Sequence, residues 1–307
     1  MLFKDALDGY WLAKQRDFSQ NTVNDYSLTF RRFQQWIGDK HVHQVTTIDV
    51  RRFLNYLRED MELSKKTVCN AWVALSSFWT WAEKEIRCEH IIRGHVDRPD
   101  FRRPMIEIYT ETEIKAMLGA CEYTAGWNST KRKAARTRRP EGLRDQAIII
   151  TLVDTGLRAS ELCNLEIRDY ISQQGRLMVR GGKGDKDRVV FLGQSGRRVL
   201  WRYLAERPGA RQTDPVFATR TGTKIERNNL RKCIQRIADR AGVAHITVHR
   251  FRHTFAVTFL RNGGNVLELQ ELLGHEKLDT IRIYARLAEV DLAAAQRRAS
   301  PADNWRL

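Results

Sequence analysis

The chain is short of the features that mark exported, membrane-bound or metal-stapled proteins. Its five cysteines, Cys69, Cys88, Cys121, Cys163 and Cys233, are widely spaced and include no C-x-x-C pair. That spacing argues against a zinc site or a disulfide framework and for reduced thiols in a cytosolic protein. The start, Met1-Leu2-Phe3-Lys4-Asp5, has no apolar signal region, and no apolar run is long enough to span a bilayer. No internal repeat is present. Acidic residues are also scarce, with 37 Asp+Glu against 53 Lys+Arg, a net charge of +16 and a pI of about 9.9. A polyanion partner fits this balance, although composition alone would also suit an RNA binder or a membrane-surface protein.

The excess charge is unevenly divided. Residues 1–107 hold 17 Lys+Arg against 15 Asp+Glu, whereas residues 108–307 hold 36 against 22. At 307 residues and 42% hydrophobic content, the chain can support two cored domains. Caps and apolar periodicity predict four helices in the first, over roughly 3–16, 22–37, 48–60 and 65–85, opened by Ser19 or Asn21 and by Ser64 where those residues precede a helix. Tyr26, Phe30, Phe33, Trp36, Trp72, Leu75, Phe78, Trp79 and Trp81 recur at helical spacing and are expected to form its core. Arg31, Arg32, Arg51, Arg52, Lys65 and Lys66 are candidate phosphate contacts. Residues 94–109, with Pro99 and Pro104, read as an extended linker. Beyond it, a mostly helical domain with a small sheet over 166–192 is expected. Residues 128–139 carry six basic residues and no acid. Lys131, Arg132 and Lys133 make this run a further candidate nucleic-acid contact, with a solvated loop as the alternative.

The chemistry concentrates between His249 and Tyr284. Apolar residues at 248, 251, 255, 256 and 259 behind Thr247 as N-cap predict a helix that makes His249 and Arg252 neighbours. His253, next along, is expected to hydrogen-bond within the core. A second helix, Val266–Leu273, should end at Gly274 and leave His275 just beyond it, with Tyr284 nine residues further. Upstream, Asp154-Thr155-Gly156-Leu157-Arg158-Ala159-Ser160-Glu161-Leu162 follows an apolar helix and reads as a glycine turn that opens a new helix near Arg158. Arg180 to Val190 is a glycine-rich turn between two β-branched runs, with Lys183 at its tip. Arginine forks and histidines can donate to the nonbridging oxygens of a phosphodiester, and a phenol can attack it.

Taken in order, T-G-L-R-x-S-E-L, G-K-G-x-K-x-R, H-R-F-R-H-T-F-A, L-L-G-H and I-Y-A resemble the tyrosine recombinase (phage integrase) family over roughly residues 110–290. The resemblance implies a mainly α fold with a small antiparallel β-sheet, arranged as a two-domain DNA clamp. Its parts would be a helical, SAM-like core-binding domain (1–93), a linker (94–109) and a catalytic domain (110–307) with a docking helix over 287–298. It implies that Arg158 and Arg252 clamp the scissile phosphate, that His249 and His275 complete the donor set, and that Glu161 orients the first arginine and histidine. Tyr284 would be the nucleophile and Lys183 the general acid. Phe251 stands where the family more often has leucine, an apolar replacement. His249 is the expected acceptor of the Tyr284 proton. The implied reaction is two transesterifications through a 3′-phosphotyrosine, with no metal or ATP, on double-stranded DNA held by a homotetramer. Accessory DNA-bending or regulatory proteins are possible partners. The expected role is integrase or transposase of a mobile element in the cytoplasm, at the nucleoid. Xer-type dimer resolution is the alternative within the class. A type IB topoisomerase-like enzyme and a noncatalytic DNA-binding regulator are the alternatives outside it.

Overall fold

Three of the first four helices begin at a side-chain cap that satisfies an otherwise orphaned backbone N–H, each such cap contributing about 1 kcal/mol. In a computed structural model of the protein, α1 spans Phe3–Lys14, α2 Gln20–Ile37, α3 Thr47–Glu59 and α4 Lys65–Glu85. Ser19, not Asn21, caps α2, accepting from the Thr22 amide at 3.3 Å. Thr46 and Asp49 form a reciprocal capping box on α3, and Ser64 caps α4. The structure describes residues 1–101, 105–123, 138–181, 187–274, 278–288, 296 and 300–305. They form two compact units, Met1–Pro104 and Met105–Leu307.

The first unit is cored by rings. Phe3, Tyr10, Phe30, Phe33, Phe53, Phe78 and Trp79 are buried, and pairs such as Tyr10–Phe30 (5.4 Å, 88°) and Phe33–Trp79 (5.9 Å, 83°) meet edge to face. Trp36 departs from the expected core. It is 40% exposed and stacks on Tyr56 at 4.8 Å, on the outer side of α2 and α3. The expected linker is also not free chain. Val96 is buried in the first core and its carbonyl accepts from the Trp72 indole at 3.0 Å, while Arg98 reaches Cys69. At its other end Tyr109 is buried in the second unit. Both ends find apolar pockets, which a proline-and-arginine reading of 94–109 missed.

In the second unit α5 spans Glu111–Glu122 and α6 Gly142–Thr155. Helix α6 is central. Ala147, Ile148, Ile149, Thr151 and Leu152 are buried, and it packs on α5, on α8 (Gln194–Ala205) and on α10 (Val248–Arg261). Helix α7 is Ala159–Asn164. Strands β1 (Tyr170–Ile171), β2 (Arg176–Val179) and β3 (Arg188–Phe191) pair antiparallel in that order, with Leu177 opposite Val190 and Val179 opposite Arg188. The small sheet thus lies where it was expected. Helices α9 (Arg227–Ala241), α11 (Val266–Leu273) and α12 (Leu278–Leu287) complete the unit, with a short helix at Pro301–Trp305. The expected docking helix over 287–298 falls mostly outside the described residues, as do Lys131, Arg132 and Lys133. No helix among the described residues is long and apolar enough to cross a membrane.

Gly156 ends α6 with φ +62°, the left-handed region that favours glycine. A Cβ there would lie 2.5 Å from Phe255 Cδ1 and 2.9 Å from Leu273 Cδ2. Backbone strain and overpacking therefore add, and Gly156→Ala is expected to destabilise the full-length protein by about 2–4 kcal/mol in urea unfolding.

Candidate active site

The left-handed turn at Gly156 releases Leu157 into the core and places Arg158 as the residue before α7. The Arg158 amide donates to Glu161 Oε2 at 2.8 Å and its Nη1 to Glu161 Oε1 at 2.7 Å, so one carboxylate both caps the helix and aims the guanidinium. Glu161 is 7% exposed and takes a second fork from β3, with Arg188 Nη1 and Nη2 at 2.9 and 2.7 Å. Burial pushes the Glu161 pKa up, but the Arg188 fork and then Arg158 override it and bring it down to about 2. Arg188 Nε also donates to the Leu272 carbonyl at 2.8 Å, and its side chain lies against Gly274. One arginine thus ties β3 and the end of α11 to the residue that orients Arg158.

Arg252, on α10, is 1% exposed. Nη1 donates to the Gly156 carbonyl at 2.9 Å and Nη2 to the Leu273 carbonyl at 2.6 Å, two oxygens freed where helices end. Its Nε is buried without a hydrogen-bond partner among the described residues. Burial, followed by the nearby positive charge of Arg158, pulls its pKa down to about 9, so it remains a cation at neutral pH. A buried cation hydrogen-bonded to carbonyls rather than to a carboxylate favours an arriving anion.

His249, one turn before Arg252, keeps an edge open to solvent. Protein packed against its ring, with the charges of Arg252 and Arg158, lowers its pKa and makes neutral imidazole the dominant form at neutral pH. Tyr284, on α12, is 1% exposed among Ala256, Val257, Leu260, Leu273 and Ile281. Burial raises its pKa, and Arg252 and Arg158 partly oppose this, which places the phenol within the field of both arginines. Its hydroxyl lies 2.9 Å from Nδ1 of His253. His253 thus makes the hydrogen bond within the core that was expected of it, and its partner there is the tyrosine. The two histidine rings meet edge to face at 4.4 Å.

Arg158, Glu161, His249, Arg252 and Tyr284 are therefore brought together, while Lys183 and His275 lie outside the described residues. The flanks of both are in place, Lys183 between β2 and β3 and His275 directly after Gly274 at the end of α11. In the first unit Arg31, Arg51, Arg52, Lys65 and Lys66 are exposed and Arg32 is half-buried. Arg51 is partly engaged, donating to the His95 carbonyl. Sequence reading did not single out Arg227 and Arg231, which line a cleft of about 520 Å³ beside Arg158 and His249. Nor did it give a role to Arg188, which falls within the glycine-rich turn read over 180–190. His253 was recognisable at one signal, its position four residues after His249 on one helical face. Among the described residues no group of three or more His, Cys, Asp or Glu could hold a metal ion.

Breaking a buried ion pair costs about 3–5 kcal/mol, and Arg188→Met is expected to fall in that range by denaturant unfolding. Because the Glu161 pKa is depressed, its contribution is present above its ordinary value of 4.5 and is lost as pH falls toward about 2. Wild type should therefore lose about 3 kcal/mol more than Glu161→Gln as pH falls through that window, measured by unfolding at stepped pH.

Residues 108–290 match the phage integrase family, and residues 12–86 match the phage integrase N-terminal SAM-like domain. Tyrosine recombinase XerC of Oceanobacillus iheyensis is 30% identical over 304 residues, covering 96% of this chain and 94% of its own length. Tyrosine recombinase XerD of Listeria monocytogenes is 28% identical, covering 98% of each. Among solved structures, the Tn1549 transposon integrase in complex with transposon right end DNA shares the fold at a TM-score of 0.74 and 19% identity, over 98% of this chain and 100% of that one. A lambda integrase dimer bound to a COC' core site does so at 0.70 and 17%, over 91% and 96%. With both domains matched in order and the arginines, histidine and tyrosine converging in the second, the chain belongs to the phage integrase family, the tyrosine recombinases, enzymes that break and rejoin DNA.

Proposed function

We propose that this chain is a site-specific recombinase that cuts and rejoins double-stranded DNA through a 3′-phosphotyrosine on Tyr284. The observation that carries the reading is Arg252, a buried cation held by two carbonyls, with Arg158 and Tyr284 in the same electrostatic neighbourhood. The scissile phosphate supplies the missing negative charge. Arg158 and Arg252 take its nonbridging oxygens, with His249 and His275 as further donors. Tyr284 attacks phosphorus, and the 5′ oxygen leaves with a proton from Lys183. A 5′ hydroxyl of the partner duplex then displaces the tyrosine. The phosphoester energy is kept in the covalent link, so ATP is not required, and the two arginines take the charge-neutralising role that a metal plays elsewhere.

The reaction runs in a homotetramer on paired sites in the cytoplasm, at the nucleoid, with accessory DNA-bending proteins assisting assembly. The biological role we assign is integrase or transposase of a mobile element, supported by the basic run at 128–139. Xer-type resolution of chromosome or plasmid dimers is the second reading, favoured by similarity to Xer recombinases over nearly the whole chain.

Wild type and Tyr284→Phe, incubated with fragments of the source genome and then denatured, test both levels. Wild type alone should retain DNA covalently, and adducts with Tyr284→Phe would remove Tyr284 as the nucleophile. Arg252→Lys should slow adduct formation by roughly 10²–10³, because a lysine cannot bridge both carbonyls and the phosphate. Sequencing the retained DNA separates the roles: element ends support the mobile-element reading, a single fixed chromosomal or plasmid site the Xer-type one.

A further inference from the structure

The hydroxyl of Tyr284 rests on a titratable partner, Nδ1 of His253, at 2.9 Å, within the range needed for direct proton transfer. A buried tyrosine ordinarily satisfies its hydroxyl on any available acceptor, so the contact alone could be structural. Three further observations set it apart. Tyr284 is enclosed by aliphatic side chains and 1% exposed, so a proton leaving its hydroxyl has His253 as an immediate acceptor. Among the described residues, the titratable and charged groups that face His253 are Tyr284 from α12 and His249 and Arg252 from its own helix. Burial, then His249 and Arg252, bring the His253 pKa down to about 4. The ring is therefore neutral at physiological pH and has a lone pair to receive a proton. His249, the other imidazole, lies edge-on to His253 at the open side of the site, where it can serve the phosphate instead.

We propose that His253 is a catalytic residue, the base that takes the Tyr284 proton during strand cleavage and returns it during rejoining. This rests on the reading of Tyr284 as the nucleophile. In cleavage the Oη–P bond forms as the P–O5′ bond breaks. The Oη proton passes to Nδ1 of His253, and O5′ leaves with a proton from the acid, assigned above to Lys183. In rejoining the incoming 5′ hydroxyl gives its proton to that acid. As the Oη–P bond breaks, Oη recovers the proton from His253, and both groups end as they began. The arriving phosphate helps, because its negative charge offsets the positive field of Arg252 and makes His253 a stronger base when it is needed.

The test uses the full chain and the DNA fragment captured as an adduct by wild type, prepared also with sulfur in place of the bridging 5′ oxygen. His253→Gln keeps a hydrogen-bond acceptor for Tyr284 but cannot take its proton. It should bind the fragment as wild type does, form adduct roughly 10²–10³ more slowly, and lose the acid-side inflection that the wild-type rate shows as pH falls toward about 4. The sulfur substrate, whose thiolate leaves without an acid, should not restore it. His253→Ala should recover partly when imidazole is added. Wild-type rates in His253→Gln would overturn the proposal, as would a slow variant with an unchanged pH profile and no imidazole rescue. Full recovery on the sulfur substrate would also overturn it, by moving His253 to the leaving group. In each of these cases Tyr284→Phe would still be inert. Adducts with Tyr284→Phe would instead bring down the reading of the nucleophile itself.

Discussion

The catalytic unit depends on a buried guanidinium that has carbonyls for company instead of a carboxylate. Arg252 spans the gap between the end of α6 and the end of α11 and closes it with one hydrogen bond to each. Two helix ends that would otherwise leave acceptors unfilled are joined by a single side chain. The left-handed turns at Gly156 and Gly274 follow from the same need, because each reverses the chain just where a carbonyl has to face Arg252 or the next residue has to leave it. Among the described residues the positive charge is incompletely compensated, which favours an arriving anion.

A second arginine does the complementary work. Arg188 saturates Glu161 from the far side and holds the Leu272 carbonyl, one residue before the carbonyl that Arg252 holds. The end of α11 is therefore pinned by two arginines from different elements, β3 and α10. Glu161 in turn is satisfied on both oxygens, and Arg158 keeps 30% of its side chain exposed. The division of labour is one of solvation. The arginine that is hydrogen-bonded to a carboxylate and nearly buried supports the site, while those with spare donors or an open edge are available to a ligand.

Much of this was legible from residue order. Helix starts at Ser64 and Thr247, the stop at Gly274 and the hairpin around 176–191 follow from local chemistry, caps and turn residues, that acts within a few positions. The convergence of Arg158, His249, Arg252 and Tyr284 was legible through the resemblance, since spacing alone does not say which helices pack together. What escaped were contacts made at long range by residues with an ordinary local role. Arg188 reads as one more charge on a basic turn until β3 docks against α7 and α11. His253 reads as a core histidine until α12 brings a phenol to it. Trp36 fits the aromatic period of its helix, yet its outward turn depends on Tyr56 of a neighbouring helix. Residues 94–101 and 105–109 look like linker because polar and proline content hides the few apolar anchors, Val96 and Tyr109, that bind each end to its own core.

Tyr109 carries a consequence of its own. Its amide donates to Thr254 Oγ1 at 2.8 Å, its hydroxyl to the Thr247 carbonyl at 3.1 Å, and the guanidinium of Arg250 lies 4.1 Å over its ring while also pairing with Glu113. The point where the chain enters the catalytic unit is thus fastened at three places to the helix that presents His249, Arg252 and His253. The entry segment is tied to that helix: a pull on the chain just ahead of Tyr109 bears first on the helix that carries His249, Arg252 and His253.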